Sequence, residues 1–128
     1  MKSLKSALLI AVVFASSVMA RGQATEGSIG KQIDGLRGVP EAQRPVATTK
    51  IAMDIRTLKA GLPKLKLADA LTHLSTEGDP GRDTLQAVAD TLAQALTENP
   101  LPAKSEIPPM PYMDLAKLAR YEGISTSM

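Results

Sequence analysis

The 128-residue sequence contains no cysteine and no tryptophan, and its only aromatic residues are two tyrosines and one phenylalanine. Without cysteine the chain has no thiol nucleophile, no disulfide and no lipid-attachment cysteine. With so few aromatic rings it also lacks the stacking platforms that a site for single-stranded nucleic acid requires. These absences exclude thiol catalysis, a disulfide-stapled domain and a lipoprotein.

The first twenty residues, MKSLKSALLIAVVFASSVMA, have the order of a secretory signal peptide. A basic start precedes an unbroken apolar run over 7–15, and small residues precede a cut after Ala20, with a cut after Ala24 as the alternative. The run is shorter than the about 20 residues that span a bilayer. We therefore expect an exported protein, periplasmic or secreted, without stable membrane insertion.

The net positive charge of the chain belongs to this leader. The sequence has 15 Lys and Arg against 13 Asp and Glu, and removal of Lys2 and Lys5 leaves the two sets equal. A neutral mature chain gives no electrostatic reason to expect a nucleic-acid partner. It also lacks the solubility that net charge confers, which favours self-association or a partner surface.

The hydrophobic pattern predicts an all-α fold, a small bundle of three to four short helices. Apolar stripes at three- and four-residue spacing predict helices over 47–60, 64–77, 84–98 and 112–122. Two leucine-rich stripes are expected to form most of the core: Leu67, Leu71 and Leu74, and Leu85, Val88, Leu92 and Leu96.

Glycine and proline divide the mature chain. Five of the nine prolines fall within 99–111, a density that excludes a regular helix or central strand. The predicted segments are a Gly-rich N-terminus with a weak helix through Ile29, Ile33 and Leu36 (21–45), a helical core (46–98), a Pro-rich linker (99–111), and a terminal helix with a frayed tail (112–128).

Local signals predict where the helices begin and end. Gly61 is expected to cap the first strong helix at its C-terminus, with Leu62 making the apolar contact that often follows. Asp83 is expected to be the N-cap of the 84–98 helix, with Gln86 completing a capping box. The last helix is too short to be stable alone and must dock on another element.

Few side chains offer catalysis or metal ligation. His73, the only histidine, is predicted to face solvent, about 200° around its helix from Leu71. Glu77, Asp79 and Asp83 lie within seven residues, but their spacing does not match a calcium loop, and helix termination and capping account for them.

Two other motifs are weaker. Met110 and Met113 lie beside prolines and give only slight support for a copper-binding site. The Gly27–Gln32 segment lacks the glycine spacing and the hydroxyl side chain of a phosphate-binding loop. We therefore assign no catalytic, cofactor-binding or metal-binding residue and no cofactor, and expect the chain as it stands not to be an enzyme.

Four stretches carry a resemblance: AQRP at 42–45, AMDIR at 52–56, LSTEGDPGRDTLQAVADTLAQAL at 74–96, and YMDLAKLARYE at 112–122. Together they resemble the helical region that precedes the thioredoxin-like domain in secreted bacterial redoxins of the TlpA/peroxiredoxin type. That family's catalytic Cys-x-x-Cys lies in the following domain, so no catalytic residue carries over to this cysteine-free chain. The resemblance implies an accessory module of a thiol-disulfide oxidoreductase.

Three functional hypotheses follow. The first is an exported, non-catalytic helical accessory module of a redoxin-like system, either a truncated redoxin or a separate partner of one. The second is a self-sufficient periplasmic protein that binds a partner or forms oligomers. The third, supported only by His73 and the acidic loop, is a small hydrolase or metal-binding protein.

Overall fold

The computed structural model describes residues 24–103 and 106–126, and within them it is entirely helical. The prediction of an all-α bundle is confirmed, whereas the predicted signal peptide lies outside the described residues. Two short 3₁₀ turns connect the first two of five α-helices. The helices are α1 (Glu26–Asp34), α2 (Arg44–Arg56), α3 (Leu62–Ser75), α4 (Arg82–Glu98) and α5 (Met110–Ala119), and the turns are Leu36–Gly38 and Glu41–Gln43.

Helix α4 is the centre of the bundle and packs against α2, α3 and α5. Its predicted stripe is confirmed, because Leu85, Val88, Leu92 and Leu96 are all buried. Alanines beside the stripe are buried too, which widens the apolar face so that three helices can surround it. In the described part of the chain, no helix is long and apolar enough to cross a membrane.

The weak N-terminal helix forms as α1 and packs against α2 and α3. Thr25 and Ser28 stabilise its start reciprocally. The Ser28 amide donates to the Thr25 hydroxyl at 3.1 Å, and the Thr25 amide donates to Ser28 Oγ at 3.0 Å. Burial of Ile29 and Ile33 supplies the tertiary support that two nearby glycines make necessary.

On α3 the buried face differs from the predicted leucine stripe. Leu71 is fully buried, but Leu67 and Leu74 are only half-buried, while Leu65 and Ala68 occupy the core. Helix α3 contacts all four other helices, so its buried surface is set by several neighbours and not by one stripe.

The predicted role of Gly61 is wrong. Helix α2 already ends at Arg56, and Gly61 stands at the start of α3, with a φ of +151° that disfavours other residues. Leu62 is therefore the first residue of α3 and is largely exposed instead of packing against α2. Pro63 fits here because the first helical turn needs no donor at that position.

The predicted capping box at Asp83 is also wrong. Helix α4 begins two residues earlier than predicted, directly after Gly81, and Asp83 lies in its first turn with no capping hydrogen bond. Gln86 instead binds the C-terminal segment. Its amide nitrogen donates to the Ser125 carbonyl at 2.8 Å, and its oxygen accepts from the Ser125 amide at 3.0 Å. With Ile124 also buried, the expectation of a frayed tail is wrong for these residues.

Leu101 attaches the segment between α4 and α5 to the bundle. Leu101 is half-buried against the core, and its amide donates to the hydroxyl of Tyr112 at 3.2 Å. Helix α5 docks on α4 and α3 through Leu115 and Leu118, as a ten-residue helix must.

A buried lysine joins three parts of the fold. Lys64 is 1 % exposed, and its ammonium donates to the carbonyls of Arg56 and Leu58, each at 3.1 Å. Glu98 Oε1, at the end of α4, lies 2.8 Å from the same nitrogen. The Lys64 ammonium therefore satisfies carbonyls at and just beyond the C-terminal end of α2. Its contact with Glu98 also links α3 to α4.

Candidate functional site

Helices α3 and α5 bring three metal-ligating side chains together. Asp69 and His73 lie one turn apart on α3, and Asp114 projects from the first half of α5. His73 Nε2 lies 2.9 Å from Asp114 Oδ2 and 3.6 Å from Asp69 Oδ2. One donor atom from each residue lies within 4.8 Å of the others, so all three could contact one ion.

The carboxylates are the buried side of this cluster. Asp114 is 8 % exposed and Asp69 is half-buried, whereas the side chain of His73 is 54 % exposed. Burial, together with the close approach and the charge of Asp114, raises the pKa of Asp69 to about 7. The imidazole of His73 opposes this shift but does not cancel it.

Two oxygens of the cluster have no hydrogen-bond partner among the described residues. They are Oδ1 of Asp69 and Oδ2 of Asp114, and both are buried. Oδ2 of Asp114 lies 2.9 Å from His73 Nε2, but the two groups are not aligned as a hydrogen bond. Buried polar atoms are usually paired, which makes these two oxygens notable.

The prediction for His73 is therefore only partly right. The ring does reach solvent, but its Nε2 faces two carboxylates and is not a lone surface group. The spacing of Asp69 and His73 on one helix is visible in the sequence as an i,i+4 pair. Asp114 could not be identified that way, because it is 41 residues from His73 and on a different helix.

The three carboxylates of the acidic loop, which the sequence offered as a weak metal candidate, have separate surroundings. Glu77 accepts hydrogen bonds from Arg37, one of them from Nε at 3.1 Å, and this contact holds the pKa of Glu77 below its usual value. Asp79 accepts from the Gly81 amide at 3.1 Å, and the side chain of Asp83 is 99 % exposed. Each carboxylate has a separate local role.

A cleft of about 220 Å³ lies beside the Arg37–Glu77 pair. Arg44 contributes to its wall, donating from one terminal nitrogen to the carbonyls of Arg37 and Val39, while its buried Nε has no hydrogen-bond partner within 24–103 and 106–126. The lining combines two arginines with three carboxylates, so its formal charges nearly cancel.

Exposed apolar side chains concentrate near the start of α5. Met110 is 56 % exposed and Met113 is 45 % exposed, and Ile107, three residues before Met110, is exposed as well. We call these three residues the Met110 face. Val46 and Met53, which share one face of α2, form a second exposed apolar pair.

Comparison of the chain with protein-family models, with curated proteins and with solved structures gives no match. The resemblance to the helical region of secreted redoxins therefore stays a hypothesis based on the four sequence stretches alone.

Proposed function

We propose that this protein is an exported, non-catalytic helical module that acts by binding a partner protein through the Met110 face. The observation that supports this most is the exposure of Met110 and Met113, three residues apart on a helix whose other face is buried, with Ile107 exposed three residues before the helix. The thioredoxin-like domain of a secreted redoxin is the partner that the sequence resemblance suggests.

The Met110 face differs from ordinary scattered surface hydrophobes. Leu115 and Leu118 already dock α5 on the bundle, so Met110 and Met113 are not needed for the core. Methionine is flexible and polarisable, and it is common on surfaces that adapt to a partner. Contiguous exposed apolar residues mark interaction sites more often than single ones do.

The direct test measures binding of the mature chain to a purified thioredoxin-like domain of a secreted redoxin by calorimetry. The double variant Met110→Ser, Met113→Ser should abolish binding, because it removes most of the apolar contact area without touching the core. The matched control Val46→Ser, Met53→Ser removes an exposed apolar pair from α2 and should bind like the unchanged chain. Equal loss in both variants would contradict a specific role for the Met110 face.

Self-association is the alternative use of the same surface, and the balanced charge of the predicted mature chain favours it. Light scattering distinguishes the two cases. A dimer that becomes monomeric only in the Met110→Ser, Met113→Ser variant would replace the redoxin by a second copy of this chain. A monomer that binds no redoxin domain would contradict both forms of the proposal.

A further inference from the structure

We propose that Asp69, His73 and Asp114 form a binding site for one divalent transition-metal ion, with zinc as the ion that best fits the donor set. The ion would connect α3 to α5. This proposal does not depend on the function of the Met110 face.

The donor chemistry favours a metal of intermediate softness. One imidazole nitrogen and two carboxylate oxygens are the ligand types that zinc accepts, and three protein ligands leave a position for water. Calcium and magnesium prefer oxygen ligands alone and in larger number, so the histidine disfavours them.

The two distances from the imidazole to the carboxylates are close to those around a shared zinc ion. Ligand bonds of about 2.0–2.2 Å place two donors on one zinc ion roughly 3.0–3.5 Å apart. The observed separations of His73 Nε2 from the two carboxylate oxygens, 2.9 and 3.6 Å, lie close to that interval. Both contacts involve Nε2, so a single ring nitrogen lies close to both carboxylates.

The unpaired oxygen of Asp114 is the independent observation that points to a ligand. Asp114 is 8 % exposed, and its Oδ2 faces the other two side chains without accepting a hydrogen bond. A buried carboxylate oxygen with no donor is costly. A divalent cation at this point would satisfy that oxygen and offset the repulsion between the two carboxylates.

An ion at this site would link α5 to α3. Two ligands lie on α3, and the third lies on a helix that the chain reaches only after the proline-rich segment. Helix α5 has ten residues and depends on docking for its stability. Metal binding would therefore stabilise the docked position of α5, and with it the orientation of the adjacent Met110 face.

The experiment is calorimetric titration of the chelator-treated mature chain with zinc chloride, followed by titration with cobalt chloride. The expected result is one zinc ion per chain. The variants Asp114→Asn, Asp69→Asn and His73→Gln should each weaken binding by at least about tenfold. The control Asp83→Asn removes a carboxylate that is fully exposed and should bind zinc as the unchanged chain does.

Spectroscopy separates a ligand role from a merely structural one. Binding should shift the ¹⁵N resonance of His73 Nε2, and bound cobalt should show visible absorption bands that Asp114→Asn changes. Far-UV circular dichroism establishes that each variant is folded, and Asp69→Asn, at the less buried of the two carboxylates, keeps the test valid if Asp114→Asn does not fold. Zinc binding that is absent, or unaffected by either aspartate variant, would overturn the proposal.

Discussion

Lys64→Met is the substitution whose effect the structure defines most closely. Methionine has nearly the same length and fills the same buried volume, so the change removes the ammonium while keeping the packing. Three contacts disappear together: the carbonyls of Arg56 and Leu58, each at 3.1 Å, and Glu98 Oε1 at 2.8 Å.

The expected cost follows from those three contacts. Hydrogen bonds to a charged group contribute about 1.5–3 kcal/mol, and removal of one partner of a buried ion pair costs about 3–5 kcal/mol. The full cost of breaking a buried ion pair does not apply, because the side chain of Glu98 is 34 % exposed and regains water when the lysine is lost. We therefore expect Lys64→Met to lower the free energy of unfolding by about 2–4 kcal/mol, a large share of the about 5–15 kcal/mol typical of a small domain.

Urea denaturation followed by far-UV circular dichroism measures this loss. The midpoint should fall with an unchanged m value, since the same surface is exposed on unfolding. Lys66→Met, an exposed lysine on the same helix, is the matched control and should change stability by less than about 0.5 kcal/mol.

Glu98→Gln separates the two parts of the Lys64 interaction. It leaves the lysine on both carbonyls and should cost only about 1 kcal/mol, because the carboxylate is partly solvated. The reasoning is refuted if Lys64→Met and Lys66→Met are equally stable, or if Glu98→Gln costs as much as Lys64→Met.

Three other predictions test separate features. Leu92→Asp, at the fully buried centre of α4, should prevent folding, since an unpaired buried charge costs several kcal/mol; a native-like circular dichroism spectrum would contradict this. When a chelator keeps the protein metal-free, the raised pKa of Asp69 means that the folded state binds more protons than the unfolded state between about pH 4 and 7. Stability should therefore fall as pH rises through that window, and Asp69→Asn should remove this part of the pH dependence of stability. Gln86→Ala should speed hydrogen exchange of the Ser125 amide with little effect on the core, and an unchanged rate would show that the tail is held by other contacts.

The helices could be predicted from the sequence because their signals are local. The stripe of α4 has the spacing of one helix face, and the structure buries the residues that the stripe identified. The ends of the helices were harder to predict, as Gly61 and Asp83 show. A glycine can follow one helix or precede the next, and a capping residue can equally occupy the first turn.

The candidate site could be predicted only in part. Asp69 and His73 are visible as an i,i+4 pair, yet an isolated pair on the predicted solvent side of a helix gives no reason to expect a ligand. Its third member, Asp114, comes from α5, 41 residues further along the chain, and the periodicity of one helix says nothing about a residue on another.

By itself the sequence determined that the described part of this protein is helical and that α4 carries the main apolar face. The tertiary structure alone decided that Asp114 meets His73, that Lys64 meets Glu98, and that Gln86 holds the tail. The physical reason is that helix periodicity depends on residues three and four apart. Contacts between helices depend on how whole faces pack, and that is set by every side chain in the interface at once.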